Sequence, residues 1–190
     1  MCGAEHANRE VCVYAIPGSG SSESSGSNPD LARIVDGYGG VFRDEGPRNA
    51  AASIAAYREA NPEAHVVLMG YSRGGQEAVS TANLLGEQGV EIDTLITFDP
   101  HQMTGDLSLT GDNVGSAVNF YQRNASTGPL GLPLPRGDNP YRGRAVNGAS
   151  NHDLTGVATG DRFGRFVHND FINQVNNDFN LRTILERELP

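Results

Sequence analysis

Five short stretches of the chain are apolar almost throughout, and they predict strands. These stretches cover residues 10–16, 65–70, 93–98, 116–122 and 144–149. A strand with one solvated face alternates apolar and polar positions, whereas a strand that helices cover on both faces is apolar on both. We therefore expect these strands to lie inside the protein, between layers of helix.

Between and after these runs, apolar residues recur at the spacing of amphipathic helices. This spacing predicts helices over residues 29–37, 47–60, 74–87 and 170–188. Strands that alternate with helices form a parallel sheet with right-handed crossovers. The sequence therefore predicts an α/β fold with three layers and a mostly parallel sheet of about five or six strands. Its length fits a single domain over residues 1–190.

Two stretches interrupt the alternation and are expected to form loops. The Gly- and Ser-rich tract at 18–29 follows the first strand, so we place it over the carboxyl edge of the sheet, where ligands bind in open α/β sheets. The stretch at 124–143 has four prolines and no helical period, and loops of that length are usually functional or disordered. Its leucines fit either the lining of a substrate cleft or the core: Leu130, Leu132 and Leu134.

The charge and hydropathy of the chain bear on its partners. The net charge is −9 at pH 7, without a basic cluster, so a nucleic-acid partner is not expected. No apolar run is long enough to span a bilayer. The first ten residues lack the basic start and apolar core of a signal peptide. A cytoplasmic and an exported location both stay open.

The cysteines and histidines do not form a recognisable metal site. Cys12 lies inside the first apolar run, where a small buried hydrophobe is the usual role, and Cys2 lies near the start of the chain. Without a secretory context, the sequence favours free thiols over a disulfide between them. No cluster has zinc spacing, and the aspartates of "TGDLSLTGDN" are more typical of turns than of calcium ligands. We expect no metal and no other cofactor.

The second predicted strand ends in the sequence GYSRGG, which contains the pattern Gly-x-Ser-x-Gly at Gly70, Ser72 and Gly74. A helix is predicted immediately afterwards. Strand, sharp turn and helix are the context of a nucleophile elbow, which exposes the serine hydroxyl at the tip of the turn. Glycines on either side remove Cβ atoms that would collide there. We therefore predict Ser72 as a nucleophile, with Tyr71 beside it as a candidate substrate contact.

A catalytic serine also needs a histidine that a carboxylate orients. Asp99 follows the next predicted strand, at the same edge of the sheet as Ser72. In that place it can accept the Nδ1 proton of a histidine and fix its tautomer. Asp153 and Asp161 are the alternatives, since an aspartate before Pro100 also fits a simple turn.

The oxyanion hole of such a site uses two backbone N–H groups. One is expected from Arg73, the residue after the nucleophile. The other is expected from Gly18 or Ser19, in the loop after the first strand.

Five histidines are candidates for the general base. His6 lies near the start of the chain, His65 begins its strand at the amino edge of the sheet, and His101 follows the acid too closely. A base that comes after the nucleophile and the acid in the chain, before the last helix, fits His168 best. His152 stays open as an alternative base, or as a contact to a loop or to substrate.

These motifs, in this order, resemble the α/β-hydrolase superfamily. The segments IPGSG, GYSRGG, LITFDP and FVHNDFINQV are similar to bacterial lipase-like members, whose elbow carries Ser-Arg-Gly and whose acid precedes a proline. Some of those, including secreted antibacterial lipase effectors, are phospholipases. The resemblance implies the triad Ser72, Asp99 and His168. The superfamily has eight strands and often a lid domain, whereas this chain has room for five or six strands and no separate lid, which favours a small esterase with an accessible site.

The sequence therefore leads to a serine hydrolase that cleaves carboxylic esters, on a small-molecule or lipid substrate. A thioesterase or an amidase would use the same triad. A catalytically silent binding module is the alternative of a different class, because a fold can outlast its chemistry.

Overall fold

The structure is a computed structural model, and it describes residues 4–6, 9–18, 29–102, 106–124, 142–157, 168, 171–173, 175 and 183. Its strands are β1 (Ala4–His6), β2 (Arg9–Ile16), β3 (Val41–Phe42), β4 (His65–Tyr71), β5 (Ile92–Phe98), β6 (Leu107–Ser108), β7 (Val114–Tyr121), β8 (Val146–Asn147) and β9 (Ser150–Asp153). Its helices are α1 (Pro29–Gly37), α2 (Pro47–Ala60) and α3 (Arg73–Glu87). In the described part of the chain, no helix is long and apolar enough to cross a membrane.

Six strands form the main path of the sheet, in the order β1-β2-β4-β5-β7-β9, and β3 pairs with β2 beside this path. Only the pairing of β1 with β2 is antiparallel; the other pairs in this sheet are parallel. The prediction of a mostly parallel sheet of five or six strands is confirmed. Parallel strands bring the ends of β2, β4, β5 and β7 to one edge, and the candidate site lies there.

The sheet is the middle layer of three. Alternate residues of β2 belong to two separate buried clusters, Val13 to the first and Tyr14 to the second. Helix α1 contributes Leu31 to the first cluster, while α2 and α3 contribute Ile54 and Leu85 to the second. The strands are therefore covered on both faces, as their continuous apolar runs predict.

The prediction that the run at 144–149 forms a strand of the main sheet is wrong. Val146 and Asn147 form β8, which pairs with β6 in a separate two-stranded sheet, and the chain then turns at Gly148 with a φ of 89°. The sixth strand of the main sheet is instead β9, whose four residues are all exposed. The Asn151 side chain donates to the carbonyl oxygens of Val146 and Ala149, which stabilises this turn. Because β9 is a polar edge strand, the apolar pattern does not mark it.

The observed bounds of α1, α2 and α3 agree with the helices that the apolar spacing predicts, to within one residue. Of the helix predicted over 170–188, the residues at 171–173, 175 and 183 are helical, and the others lie outside the described residues. Most of the two predicted loops also lies outside them, including Ser19 and the stretch with Leu130, Leu132 and Leu134.

Cys12 departs from the expectation of a free thiol. It is buried at 1% exposure in β2 and is disulfide-bonded. Among the described residues no cysteine is free, and Cys2 is the only other cysteine in the sequence. Strand β1 runs back along β2 with Ala4 opposite Val11, a pairing that the weakly patterned first ten residues do not reveal.

Candidate active site

The turn between β4 and α3 has the geometry of a nucleophile elbow. Ser72 adopts φ 55° and ψ −121°, a conformation that a non-glycine residue keeps only when its surroundings enforce it. The glycines on either side are needed for close approach. A Cβ on Gly70 would overlap the carbonyl oxygen of Gly74, and a Cβ on Gly74 would overlap the carbonyl oxygens of Ile16 and Pro17. The elbow thus packs directly against the end of β2.

Ser72, His168 and Asp99 lie in one chain of hydrogen bonds. Nδ1 of His168 is 2.6 Å from Oδ2 of Asp99, and Nε2 of His168 is 2.9 Å from Oγ of Ser72. A carboxylate can only accept, so the proton of the neutral imidazole lies on Nδ1 and Nε2 accepts from the serine hydroxyl. The exposed fractions are 9% for Ser72, 7% for His168 and 0% for Asp99. This arrangement can remove the proton from Ser72 as its oxygen attacks.

Asp99 is held in an unusual backbone conformation, with a φ of 47°. Its N–H donates to the carbonyl oxygen of Phe120 at 2.7 Å, so the end of β5 stays fixed to β7. The backbone N–H of Gln122 donates to Oδ1 at 3.0 Å, and Nε2 of Gln122 donates to Oδ2 at 2.7 Å. Three donors, counting His168, therefore contact this buried carboxylate.

Tyr71 contacts the histidine. Its ring is stacked on the His168 ring with centroids 5.0 Å apart, and its hydroxyl donates to the carbonyl oxygen of His168. The tyrosine is 6% exposed. The described contacts of Tyr71 thus orient His168, whereas the sequence suggests a contact to substrate.

The loop after β2 lies against the nucleophile. A Cβ on Gly18 would be 3.1 Å from Cδ1 of Tyr71 and 3.2 Å from Cβ of Ser72. Gly18 is buried, and its backbone therefore lies close to the serine, as an oxyanion donor must. Ser19, the alternative donor, lies outside the described residues.

Arg73 begins α3 directly after the nucleophile. Its Nη2 is 2.8 Å from both carboxylate oxygens of Asp44, in the loop between β3 and α2, and its Nη1 donates to Glu77. Burial raises the pKa of Glu77 against the opposing charge of Arg73, and the nearby Asp44 raises it further. The guanidinium ties the elbow helix to this loop, so the oxyanion role expected for Arg73 concerns its backbone N–H.

The other candidate base, His152, lies elsewhere. It is an exposed residue of β9 and not part of a loop after a strand. Its ring is stacked on Phe120 at 4.9 Å between centroids, and its Cα is in register with that residue. Its described contacts are therefore with β7, whereas Ser72 contacts His168.

His101 is close to the nucleophile through its backbone, whose N–H donates to the carbonyl oxygen of Ser72 at 3.1 Å. Burial and the charge of Arg144 lower the pKa of His101. Nδ1 of His101 is buried without a hydrogen-bond partner among the described residues. A neutral imidazole fits that environment.

Of the two alternative acids, Asp153 is described, and its described partners are other residues than His168. Burial alone would raise the pKa of Asp153, but hydrogen bonds from Thr155 and Tyr121 and the charge of Arg123 lower it overall. Asp161 lies outside the described residues. Asp99 is the carboxylate that the structure brings to His168.

Sequence reasoning missed two residues that contact Asp99. Gln122 follows β7 directly, and Gly143 lies in the segment that returns over the site. A Cβ on Gly143 would overlap Oδ1 of Asp99 and lie 2.8 Å from Cβ of Tyr121. A polar residue at the end of a strand and a glycine in a Pro-rich stretch are ordinary features, so no sequence signal distinguishes them.

A cavity of about 750 Å³ lies at the opposite edge of the sheet, beside the first residues of β4 and β5. Its lining includes Arg58, His65 and Asp93. Arg58 already donates to Asp93 at 2.6 Å and to the carbonyl oxygen of Glu91 at 3.2 Å. These pairings join α2 to the sheet, and we assign the cavity no catalytic role.

In the parts of the chain that the structure describes, no group of three or more His, Cys, Asp or Glu could hold a metal.

Comparison with known proteins gives matches among solved structures alone. No family model matches the sequence, and no curated protein does. RedJ, solved with a polyethylene glycol molecule in its active site, is 13% identical with a TM-score of 0.52, covering 98% of this chain and 92% of that chain. The surfactin thioesterase domain SrfTE is 15% identical with a TM-score of 0.52, covering 96% and 93%. YbtT, a type II thioesterase from the yersiniabactin pathway, is 16% identical with a TM-score of 0.50, covering 96% and 94%. Likeness at these identities shows a shared fold.

Proposed function

We propose that this chain, which has the α/β-hydrolase fold, is a single-domain serine hydrolase that cleaves carboxylic esters. The observation that carries the proposal is the relay from Ser72 through His168 to Asp99, with both hydrogen bonds formed and the acid fully buried. A strained serine backbone adds support, since strain of this kind is concentrated at functional sites. Folds of this class host many activities, so the site and not the fold carries the argument.

The proposed reaction has two steps. As Oγ of Ser72 attacks the ester carbonyl, Nε2 of His168 takes the hydroxyl proton and then gives it to the leaving alcohol. Asp99 holds the imidazole in its tautomer and stabilises the imidazolium. The backbone N–H groups of Arg73 and of the loop at Gly18 stabilise the oxyanion. Water then attacks the acyl-enzyme by the same route and releases the acid.

Thioester hydrolysis is the second candidate activity. All three compared proteins, RedJ, SrfTE and YbtT, are thioesterases by name, and a thioester would be cleaved through the same acyl-enzyme. Amide cleavage is a third use of this relay.

A silent binding module is the alternative of a different class. Two observations count against it: both hydrogen bonds of the relay are formed, and Ser72 keeps a strained backbone that a binding module does not need.

A matched substrate series tests the proposal. Short-chain p-nitrophenyl esters, acyl thioesters and acyl anilides are given to the folded protein, and kcat/KM is measured for each. We expect the ester to give the highest value. A higher value for the thioester would reassign the activity to the second candidate, and no turnover of any member would contradict a hydrolase.

The first prediction concerns the acid. Asp99→Asn is expected to lower kcat by about 10⁴-fold, because an amide at this position favours the wrong imidazole tautomer. The measurement is turnover of the best ester by the folded variant. Asp93→Asn is a control, since Asp93 bonds to Arg58 and to the N–H of Val66 far from Ser72. An Asp99→Asn enzyme with wild-type turnover would move the acid to Asp153 or Asp161.

The second prediction concerns the segment over the acid. Gly143→Ala is expected to lower kcat by about a hundredfold, because the new Cβ must displace Asp99 or the backbone beside it. Gly37→Ala is the matched control, since a Cβ there meets no atom within 4 Å. Kinetics and thermal unfolding of both variants check this. Equal kcat in the two variants would show that the segment at Gly143 can shift without moving the acid.

A further inference from the structure

We propose that Gln122 is a positioning residue for the acid of this site. It holds both carboxylate oxygens of Asp99 in the orientation in which Oδ2 receives the proton of His168. The inference rests on the proposed function for the role of Asp99, and on the geometry alone for the contacts of Gln122.

Gln122 contacts Asp99 through two separate groups. The backbone N–H donates to Oδ1 at 3.0 Å, and the side-chain amide donates to Oδ2 at 2.7 Å. One residue thus binds both oxygens of the carboxylate and restricts rotation about its Cβ–Cγ bond. Oδ2 is also the oxygen that lies 2.6 Å from Nδ1 of His168. Rotation of Asp99 would therefore break the contact that orients the base.

Gln122 is itself fixed by its surroundings. Its exposed fraction is 0%. Its Oε1 accepts from the backbone N–H of Asn124 at 2.6 Å, and its carbonyl oxygen accepts from the N–H of Gly143 at 2.8 Å. A flipped amide would place Oε1 against the carboxylate of Asp99 and Nε2 against an N–H donor, and both contacts would be repulsive. The amide therefore has one favourable orientation, with its donor toward the acid.

The need for such a residue follows from the burial of Asp99. A carboxylate at 0% exposure is not reached by bulk solvent, and an unpaired buried charge is costly. His168 supplies one donor, and the remaining donors to the carboxylate among the described contacts come from Gln122. The backbone donor survives every substitution at position 122 except proline, whereas the donor to Oδ2 depends on the glutamine side chain.

The test replaces this side chain with one of similar length that has no polar group. Gln122→Met is compared with wild type and with Asn83→Leu. In the control, Asn83 donates to the carbonyl oxygen of Ser108 and accepts from the N–H of Thr110, which joins α3 to the β6 region. Gln122→Asn, which keeps an amide on a shorter side chain, is the second variant and carries the test if the Met variant does not fold.

Two readouts are used. The first is ester hydrolysis, in which we expect kcat to fall by about ten- to a hundredfold in both Gln122 variants with little change in KM. The second is the proton NMR signal of Nδ1–H in His168, assigned by its absence in His168→Ala. We expect this signal to move or to broaden by exchange with water in the Gln122 variants and to stay unchanged in Asn83→Leu.

The two readouts separate the inference from the proposed function. A Gln122 variant that loses thermal stability but keeps both the wild-type kcat and the wild-type signal would show a purely structural role and overturn the inference. A wild-type protein without hydrolase activity would contradict the proposed function, and the NMR signal would still decide whether Gln122 positions Asp99.

Discussion

Replacing Ser72 by alanine is expected to abolish ester hydrolysis, with a loss in kcat of about 10⁵- to 10⁶-fold. The reason is chemical: the change removes the hydroxyl that lies 2.9 Å from Nε2 of His168, so the proposed acyl-enzyme cannot form on this residue. The change itself is small: it removes one oxygen atom, from a residue that is 9% exposed. The measurement is turnover under conditions where the wild-type rate is well above the spontaneous rate.

The fold is expected to tolerate this change. Alanine keeps the Cβ and so inherits the same backbone strain at φ 55°, and the lost hydrogen bond to His168 is worth about 1 kcal/mol. The melting temperature should therefore stay within about 4 °C of wild type. Ser80→Ala is the matched control: Ser80 lies in α3, the helix that follows Ser72, and donates to the carbonyl oxygen of Gln76, so this variant should keep full activity. Residual turnover in Ser72→Ala near that of Ser80→Ala would identify a different nucleophile.

Replacing His168 by alanine is expected to remove activity as completely as the loss of the serine, because nucleophile and base act as one unit. His168 accepts from Ser72 at 2.9 Å and donates to Asp99 at 2.6 Å. His152→Ala is the comparison, since this exposed residue of β9 stacks on Phe120. We expect it to lower kcat/KM by at most about tenfold, which is about 1.4 kcal/mol.

The ranking of these two histidine variants is checked by turnover of a short-chain ester, with circular dichroism to confirm folding. The opposite ranking, with His152→Ala inactive and His168→Ala active, would reassign the base while leaving Ser72 and the fold as described. A double variant that is no worse than His168→Ala alone would agree with a single base at that position.

The fold and the relay could be predicted because each rests on a local sequence signal. The Gly-x-Ser-x-Gly pattern needs close backbone approach at Gly70 and Gly74, and the structure has that approach. Asp99 directly follows an apolar strand next to the elbow strand, and parallel pairing brings the ends of the two strands together. His168 comes shortly before Phe171, Ile172 and Val175, whose helical spacing predicts a last helix. These three residues are buried in the same cluster as Leu31 of α1.

The contacts that hold the acid could not be predicted, because they join residues far apart in the chain without a periodic pattern. Gln122 is 23 positions from Asp99 in the chain. A glutamine after a strand is common, so the sequence does not mark it. The edge strand β9 is polar and exposed, so an apolar pattern does not mark it, and the pattern instead favours the preceding apolar run at 144–149. The disulfide of Cys12 could not be predicted either, because a cysteine inside an apolar run is typical of a buried free thiol.

Reaction of the folded protein with a fluorophosphonate, followed by peptide mapping, tests the central claim most directly. The probe phosphonylates a serine that a neighbouring base activates, and it requires no knowledge of the natural substrate. We predict one adduct, on the peptide that carries Ser72, formed at the wild-type rate in His152→Ala and lost in both Ser72→Ala and His168→Ala. A folded wild-type protein that remains unlabelled, or that is labelled on another residue, would contradict the assignment of Ser72 as an activated nucleophile.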